Sequence, residues 1–291
     1  MECIFNQVDP QFVAAQGFNY RLSVLLCQDG FSFLITHAIS LKVLKIASYK
    51  LLFNGVEHVE MGGWPKNGND YFENLKKVEL IQHPYQRVDI AIASQRITVA
   101  PHEFMEKDNV MNIISTAYTV NPGEEILTET IFNTGPVTAM LIPHYIPEWC
   151  AMIFPGSTLR SAPAVFVKGI FRSYSQLFSR QVFINIHTGF FEICIIQGSR
   201  LLYLNAFKYM SPSDVLYYVI FVLEQLGFAP SEEKITLMGD ITMESVIYTQ
   251  MEMYCESLKF VEKPEILQYS DTFAGLALYN HFILLNIPIC E

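Results

Sequence analysis

Residues Phe183 to Glu192 read FINIHTGFFE. The run reads as a strand, a tight turn at His187-Thr188-Gly189, and a second strand. Glycine supplies the backbone freedom that a short hairpin turn needs. Working outward, Val182 to Ile186 and Phe190 to Gln197 are the two arms, and Arg200 to Phe207 is a third strand. A helix begins at Ser211-Pro212-Ser213-Asp214, which offers a hydroxyl cap, a proline at the first turn and an acid near the positive end of the helix dipole. Gly227 is a natural C-terminal stop. Lys234 to Met238 is a short apolar strand closed by Gly239. A helix over Met243 to Leu258, a short strand over Lys259 to Val261 and a last helix over Phe273 to Leu285 are expected after it.

The first half opens on the same scheme. Tyr20 to Gln28 and Phe31 to Ile39 flank Asp29-Gly30, a pair that predicts a two-residue type I′ turn. Lys42 to Leu51 is the third strand. Gly62-Gly63-Trp64-Pro65-Lys66-Asn67-Gly68 is turn chemistry, with Trp64 either anchoring a surface loop or meeting a partner. A helix over Asp70 to Gln82 follows, then strands over Val88 to Ala93 and Arg96 to Ala100 and a helix over Asp108 to Tyr118. Strands Glu125 to Phe132 and Val137 to Ile142 pair across Asn133-Thr134-Gly135-Pro136, and helices over Pro147 to Phe154 and Pro163 to Tyr174 complete this half. Both halves therefore begin βββ then α, and the second continues βαβα. That order predicts α/β architecture with mixed sheets covered by helices on both faces, in two domains, 1–178 and 179–291.

Bulk composition excludes several function classes. Half of the residues are hydrophobic and 16% are charged, which predicts a core-rich globular protein. The net charge of −10 argues against nucleic-acid binding, which draws on basic patches. Val215 to Leu223 is apolar throughout, but Asp214 and Glu224 bracket it, and it falls far short of the roughly 20 residues that cross a bilayer. The N-terminal MECIFNQVDP lacks the pattern of a secretory signal, so a cytoplasmic protein without an integral membrane segment is expected. Six scattered cysteines show no zinc spacing and predict free thiols in a reducing compartment. No nucleophile elbow, metalloprotease helix, P-loop or dinucleotide fingerprint is present.

Two stretches carry a closer resemblance: LLYLNAFKYMSPSDVLYYVIFVLEQLGF (Leu201 to Phe228) and ITLMGDITMES (Ile235 to Ser245). Their Asn-x-Phe-x-Tyr, Pro-x-Asp-x-x-Tyr-Tyr and Gly-Asp-Ile features resemble an uncharacterised bacterial family, a domain of unknown function. That family is assigned to the actin-like ATPase superfamily of actin, Hsp70 and sugar kinases. The resemblance implies two RNase H-like βββαβαβα domains. It also implies three nucleotide sites: a phosphate-gripping hairpin in each domain, usually with an acid that holds Mg²⁺ through water, and a Gly-Gly pair beside adenosine.

On that resemblance the candidate nucleotide-binding residues are Asp29 and Gly30 in the first hairpin, Asn185, Thr188, Gly189 and Glu192 in the second, and Gly239 and Asp240 at the adenosine turn. Each site departs from the pattern. Asn185 replaces the acid, His187 and Thr188 replace glycines, and Phe190 and Phe191 replace small hydroxyl residues. The first hairpin has no glycine-rich turn, and Gly239 is partnered by Asp240. The expected function is thus a catalytically silent actin-like-fold protein working through an unknown protein partner, with no catalytic residue, no metal site and no cofactor. A nucleotide-binding protein, ATPase or phosphotransferase with altered ligands for ATP and Mg²⁺ is the alternative.

Remaining candidates carry plain readings. His187 is expected as a turn histidine in a solvated loop, and His102-Glu103 and His144-Tyr145 as loop residues at strand ends. Cys150 is expected as a buried thiol. Tyr217 and Tyr218 sit on a helix apolar on all sides and are expected to pack inward. Asn205 and Tyr209 are expected to hydrogen-bond the turn that joins the third strand to the helix.

Overall fold

The computed structural model describes residues 1–51, 63–65, 68–105, 107–133, 135–174, 176 and 178–290. The chain forms two compact units. The first comprises Met1–Lys168, Pro264–Leu276 and Ile283–Glu291, and the second Gly169–Lys263 and Ala277–Phe282.

The first unit is built on six strands: β1 (Glu2–Val8), β2 (Tyr20–Cys27), β3 (Gly30–His37), β4 (Val43–Lys50), β5 (Arg87–Ile92) and, later in the chain, β9 (Thr158–Ser161). Their order is β1-β4-β3-β2-β5-β9. The β2–β3–β4 meander is antiparallel, and β5 and β9 join parallel. β2 and β3 are buried on both faces, hence their unbroken Leu, Val, Ile and Phe. Helix α1 (Asn69–Lys76) brings Tyr71 and Phe72 into the core. Between β5 and β9 lie β6 (Ile97–Ala100), α2 (Lys107–Ala117), β7 (Glu124–Thr130), β8 (Val137–Pro143) and α3 (Tyr145–Ile153). The three strands pair as a separate antiparallel sheet, β6-β8-β7. Val110 and Ile114 of α2 pack on Ala139 and Leu141 of β8. Helix α4 (Ala162–Tyr174) follows β9.

The second unit contains β10 (Arg180–His187), β11 (Phe190–Gln197), β12 (Arg200–Lys208), α5 (Pro212–Gln225), β13 (Lys234–Gly239), α6 (Val246–Glu252) and β14 (Ser257–Phe260). Its sheet order is β12-β11-β10-β13-β14, the same arrangement as β4-β3-β2-β5-β9. The three-strand opening anticipated in both halves is present, and the match extends to two further strands. Val182, Ile184, Ile186, Phe191, Ile193 and Ile195 form one face of this sheet, beneath Val215, Val219, Val222 and Leu223 of α5 and Ile247 and Met251 of α6. The start of α5 is fixed as expected. The Asp214 carboxylate accepts from the backbone N–H groups of Ser211 and Met210, both at 2.8 Å, and those bonds hold its carboxyl below the usual range. At the other end Gly227 takes φ +75°, and Phe228 N–H donates to Leu223 O at 2.8 Å.

Several expectations are corrected. β1 and β9 have no anticipated counterpart; both are edge strands. α6 ends at Glu252 rather than Leu258, because Ser257–Phe260 pair parallel with β13 and extend the sheet. The expected helix Phe273 to Leu285 is broken into two short helices, α7 (Asp271–Ala274) and α8 (Phe282–Asn286), with a 3-10 turn over Tyr279–His281 between them, since the chain passes between the units within this stretch. The first hairpin turn is Gln28-Asp29, with Cys27 opposite Gly30, and no residue of it has positive φ, so it is not type I′. Gly30 answers a different need: a Cβ there would lie 2.1 Å from Tyr49 O on β4. Gly62, Lys66, Asn67 and Thr134, parts of two expected turns, lie outside the described residues; Trp64 is buried and its ring lies 5.6 Å from that of Tyr71.

Candidate functional site

The hairpin quoted at the outset sets the geometry of the second unit. Strand alternation turns Phe183, Asn185 and His187 of β10 away from α5 and α6, and does the same for Phe190, Glu192 and Cys194 of β11. The turn proper is Thr188-Gly189, with Gly189 at φ +82°. This register sets Asn185 directly opposite Glu192 and His187 opposite Phe190. Asn185 is 3% and Glu192 1% exposed, so each must find its partner inside the protein.

They find each other. Asn185 Nδ2 donates to Glu192 Oε2 at 2.7 Å. His187 Nε2 lies 2.7 Å from the same amide nitrogen and 3.1 Å from the same carboxylate oxygen. The tautomer of the ring decides whether that nitrogen donates to Glu192 or accepts from Asn185. The imidazole is stacked on the Phe190 ring, with centroids 4.3 Å apart and planes 9° from parallel. His187 is thus the last residue of a strand, folded under the hairpin, rather than a solvated turn residue. The signal was available: once the turn is placed at Thr188-Gly189, His187 shares a face with Asn185 and looks across at Glu192.

The tip is closed from the other side by Tyr209. Its hydroxyl donates to His187 O at 2.9 Å and its N–H donates to Gly189 O at 3.1 Å. Tyr209 therefore holds the hairpin turn, not the turn after β12 as expected. Asn205 accepts from Ala206 N–H instead. Tyr209→Phe removes the hydroxyl and its hydrogen bond to His187 O; a loss of about 1 kcal/mol in urea unfolding is expected.

β13 lies parallel to β10, with Ile186 beside Gly239. Gly239 has φ +87°, and a Cβ there would fall 2.1 Å from Ile186 O and 2.7 Å from Asn185 Oδ1. The neighbouring strand's own backbone accounts for this glycine. Asp240 is exposed, and its N–H donates to Ile186 O at 2.8 Å. Thr188 is exposed at the tip. The structure thus gathers Asn185, Glu192, Gly239 and Asp240 around the root of one hairpin, with Thr188 and Gly189 at its end.

Asp29 and Gly30 belong to the first unit's hairpin, where the equivalent positions are chemically different. Leu25 pairs with Ser32 where Asn185 pairs with Glu192, and Ser32 donates to Ser48 Oγ at 2.8 Å. Asp29 is one-third exposed, 4.0 Å from Lys50 Nζ. Tyr71 donates to both Cys27 O and Gly30 O, at 2.9 and 2.7 Å, and Gly63 sits against the Gln28 side chain. A tyrosine hydroxyl on the carbonyl that ends the first strand is common to both hairpins.

These donors do not suit a magnesium–triphosphate. Mg²⁺ asks for charged oxygens that can turn outward with their waters. The carboxylate at the root of the second hairpin is buried and bonded inward, and the Phe190 ring is buried behind the turn. Among the described residues no group of three or more His, Cys, Asp and Glu could hold a metal ion. Of the other candidates, Cys150 is buried, which pushes its thiol up to about 12. His144 is held by Gly123 O at 2.7 Å, and His102 is exposed in a short turn of helix. Tyr218 packs inward on Phe207, but Tyr217 is 61% exposed, contrary to expectation.

A family model described as "Protein of unknown function (DUF3822)" matches residues 9–258. No curated protein matches the sequence. Among solved structures, the chain is similar to a Bacteroides thetaiotaomicron protein with an actin-like ATPase fold and unknown function. The two share 18% identity over 97% of this chain and 100% of that one, with a TM-score of 0.75. It is also similar to a chain of the PilM–PilN type IV pilus biogenesis complex, with 9% identity, 92% and 97% coverage and a TM-score of 0.67. The ethanolamine utilization protein EutJ from Carboxydothermus hydrogenoformans follows, with 9% identity, 98% and 93% coverage and a TM-score of 0.51. At such identities the likeness is one of fold, and the fold is that of the actin-like ATPases.

Proposed function

We propose, from the premise that this chain belongs to the DUF3822 family of proteins of unknown function, that it is a catalytically silent member of the actin-like fold whose work is to bind another protein. The observation that carries this reading is the closed Asn185–Glu192–His187 cluster. The position that would present an acid to metal-bound water holds a neutral amide, and the amide is engaged by a buried carboxylate. The same backbone remains, with its acid position neutral and turned inward. A cytoplasmic setting fits the six free thiols, and among the described residues no helix is long and apolar enough to cross a membrane. The appearance of a PilM–PilN complex among similar folds makes an assembly role a natural reading by analogy.

The candidate residues for a nucleotide are Asp29 and Gly30 in the first unit and Asn185, Thr188, Gly189, Glu192, Gly239 and Asp240 in the second. A ligand that binds only the folded chain raises its melting temperature by mass action. Differential scanning fluorimetry with millimolar Mg·ATP is expected to give no shift. A rise that disappears in Glu192→Gln would overturn the reading and favour the ATP-dependent alternative.

A further inference from the structure

We propose that the outer surface of α5 and α6 is the docking site for a cationic amphipathic helix of the partner protein; this deepens the protein-binding reading above and rests on it. The two helices pack side by side on one face of the second unit's sheet, and Gln250 of α6 donates to Ser213 Oγ of α5 at 3.3 Å on their outer side. Outside that seam the exposed positions include large apolar side chains as well as polar ones. Tyr217 and Phe221 of α5 are 61% and 44% exposed, one turn apart, with near-parallel rings 6.1 Å between centroids. Val246 of α6 and Met253, just past its end, are 58% and 70% exposed. Aromatic side chains held on a helix, with rings already stacked, lose little freedom when covered.

Charge says what covers them. From Tyr209 to Glu256 the chain has no arginine and one lysine, Lys234, against eight acids. Lys234 is spent on Glu256 at 3.6 Å, and Glu233 is paired with Arg180. Glu224, Glu244 and Glu252, at the ends of these helices, are exposed and form no ion pair among the described residues. Exposed apolar side chains on helices whose end carboxylates form no ion pair among the described residues are complementary to a helix with apolar residues on one face and Lys or Arg beside them. An anionic membrane would be repelled, and a second copy would bring the same acids against themselves.

The test uses the full chain and a labelled Leu/Lys amphipathic peptide of about five helical turns. Its controls are a scrambled peptide of equal charge and a Leu/Glu peptide of the same pattern. Fluorescence anisotropy is expected to give micromolar, salt-weakened binding of the Leu/Lys peptide alone. Tyr217→Ala with Phe221→Ala should weaken it at least tenfold, and Glu224→Lys with Glu252→Lys should do so while leaving the exposed apolar side chains intact. Unchanged melting temperatures in both variants would exclude misfolding as the cause. Equal binding of the scrambled or acidic peptide, or full binding by either variant, would overturn the proposal. So would dimerisation of the parent in sedimentation velocity that Phe221→Ala abolishes. A natural partner captured equally by the parent and both variants would remove this surface from the account while leaving the protein-binding function standing; stabilisation by Mg·ATP would instead strike the function itself.

Discussion

Asn185→Asp is expected to destabilise the second unit by about 2–4 kcal/mol at neutral pH and to leave it without ATPase activity. The change puts a second carboxylate 2.7 Å from Glu192 in a site closed to water, and it deletes the donor that Glu192 now uses. Two carboxylates at such a distance share one proton rather than ionise together. The folded variant therefore holds that proton more tightly than the unfolded chain, whose acids ionise near 4. With the folded-state value raised above the unfolded one, the cost is absent in acid and reaches its full size as pH rises through the folded value. The parent has its own acid sensitivity. His281 is buried with its pKa lowered to about 4 from 6.5, so its contribution is present above 6.5 and is lost as pH falls toward 4. Urea denaturation of variant and parent side by side at pH 5 and pH 8 isolates the effect. A variant that is equally destabilised at both, or that recovers its stability with Mg²⁺ at pH 8, would contradict the closed-cluster account.

The second large effect is expected at Glu129, which ties the three-stranded sheet of the first unit to β9 and the start of α4. Its Oε2 accepts from Ser161 N–H at 2.7 Å, and its Oε1 meets Lys168 Nζ at 2.6 Å and Arg160 Nη1 at 3.3 Å. Arg160 and Arg87 both reach Asp89, which is 2% exposed. Removing one member of a buried ionic network strands the others, so Glu129→Ala should cost about 3 kcal/mol. Glu129→Gln keeps an acceptor for Ser161 and should cost roughly half of that. Equilibrium unfolding measures both, and hydrogen exchange should accelerate first in β7 and β9. A Gln variant as stable as the parent would mean that charge contributes nothing there, and equal losses for the two variants would mean that the bond to Ser161 contributes nothing.

The succession of strands was legible because both halves spell the same run of short apolar segments, and runs buried on both faces are unmistakable; their order within each sheet came only with the family resemblance. The first unit's edge strands were not legible. Glu2–Val8 is mostly exposed, and Thr158–Ser161 is only four residues long, so neither carries the composition of a buried strand. Helix ends were legible where capping chemistry is local, as at Ser211 and Gly227. They were lost after Met253, where pairing with β13 decides the outcome and no local signal announces it. At the candidate site the substitutions were plain in the sequence, but their mutual contact was not. That Asn185, His187 and Glu192 meet depends on the register, and the register turned on whether the hairpin loop took two residues or three. The outward position of Tyr217 was hidden for another reason: an all-apolar helix gives periodicity nothing to point with.

The first unit draws on both ends of the chain. Val43 N–H donates to Gln268 O and Gln268 N–H to Leu41 O, while Cys290 Sγ–H reaches Val165 O. During biosynthesis the earliest sheet to leave the ribosome must therefore wait for the latest residues before it can seal. The second unit, almost wholly contiguous, is free to form while the first stands open, so vectorial folding here should run from the middle of the message outward.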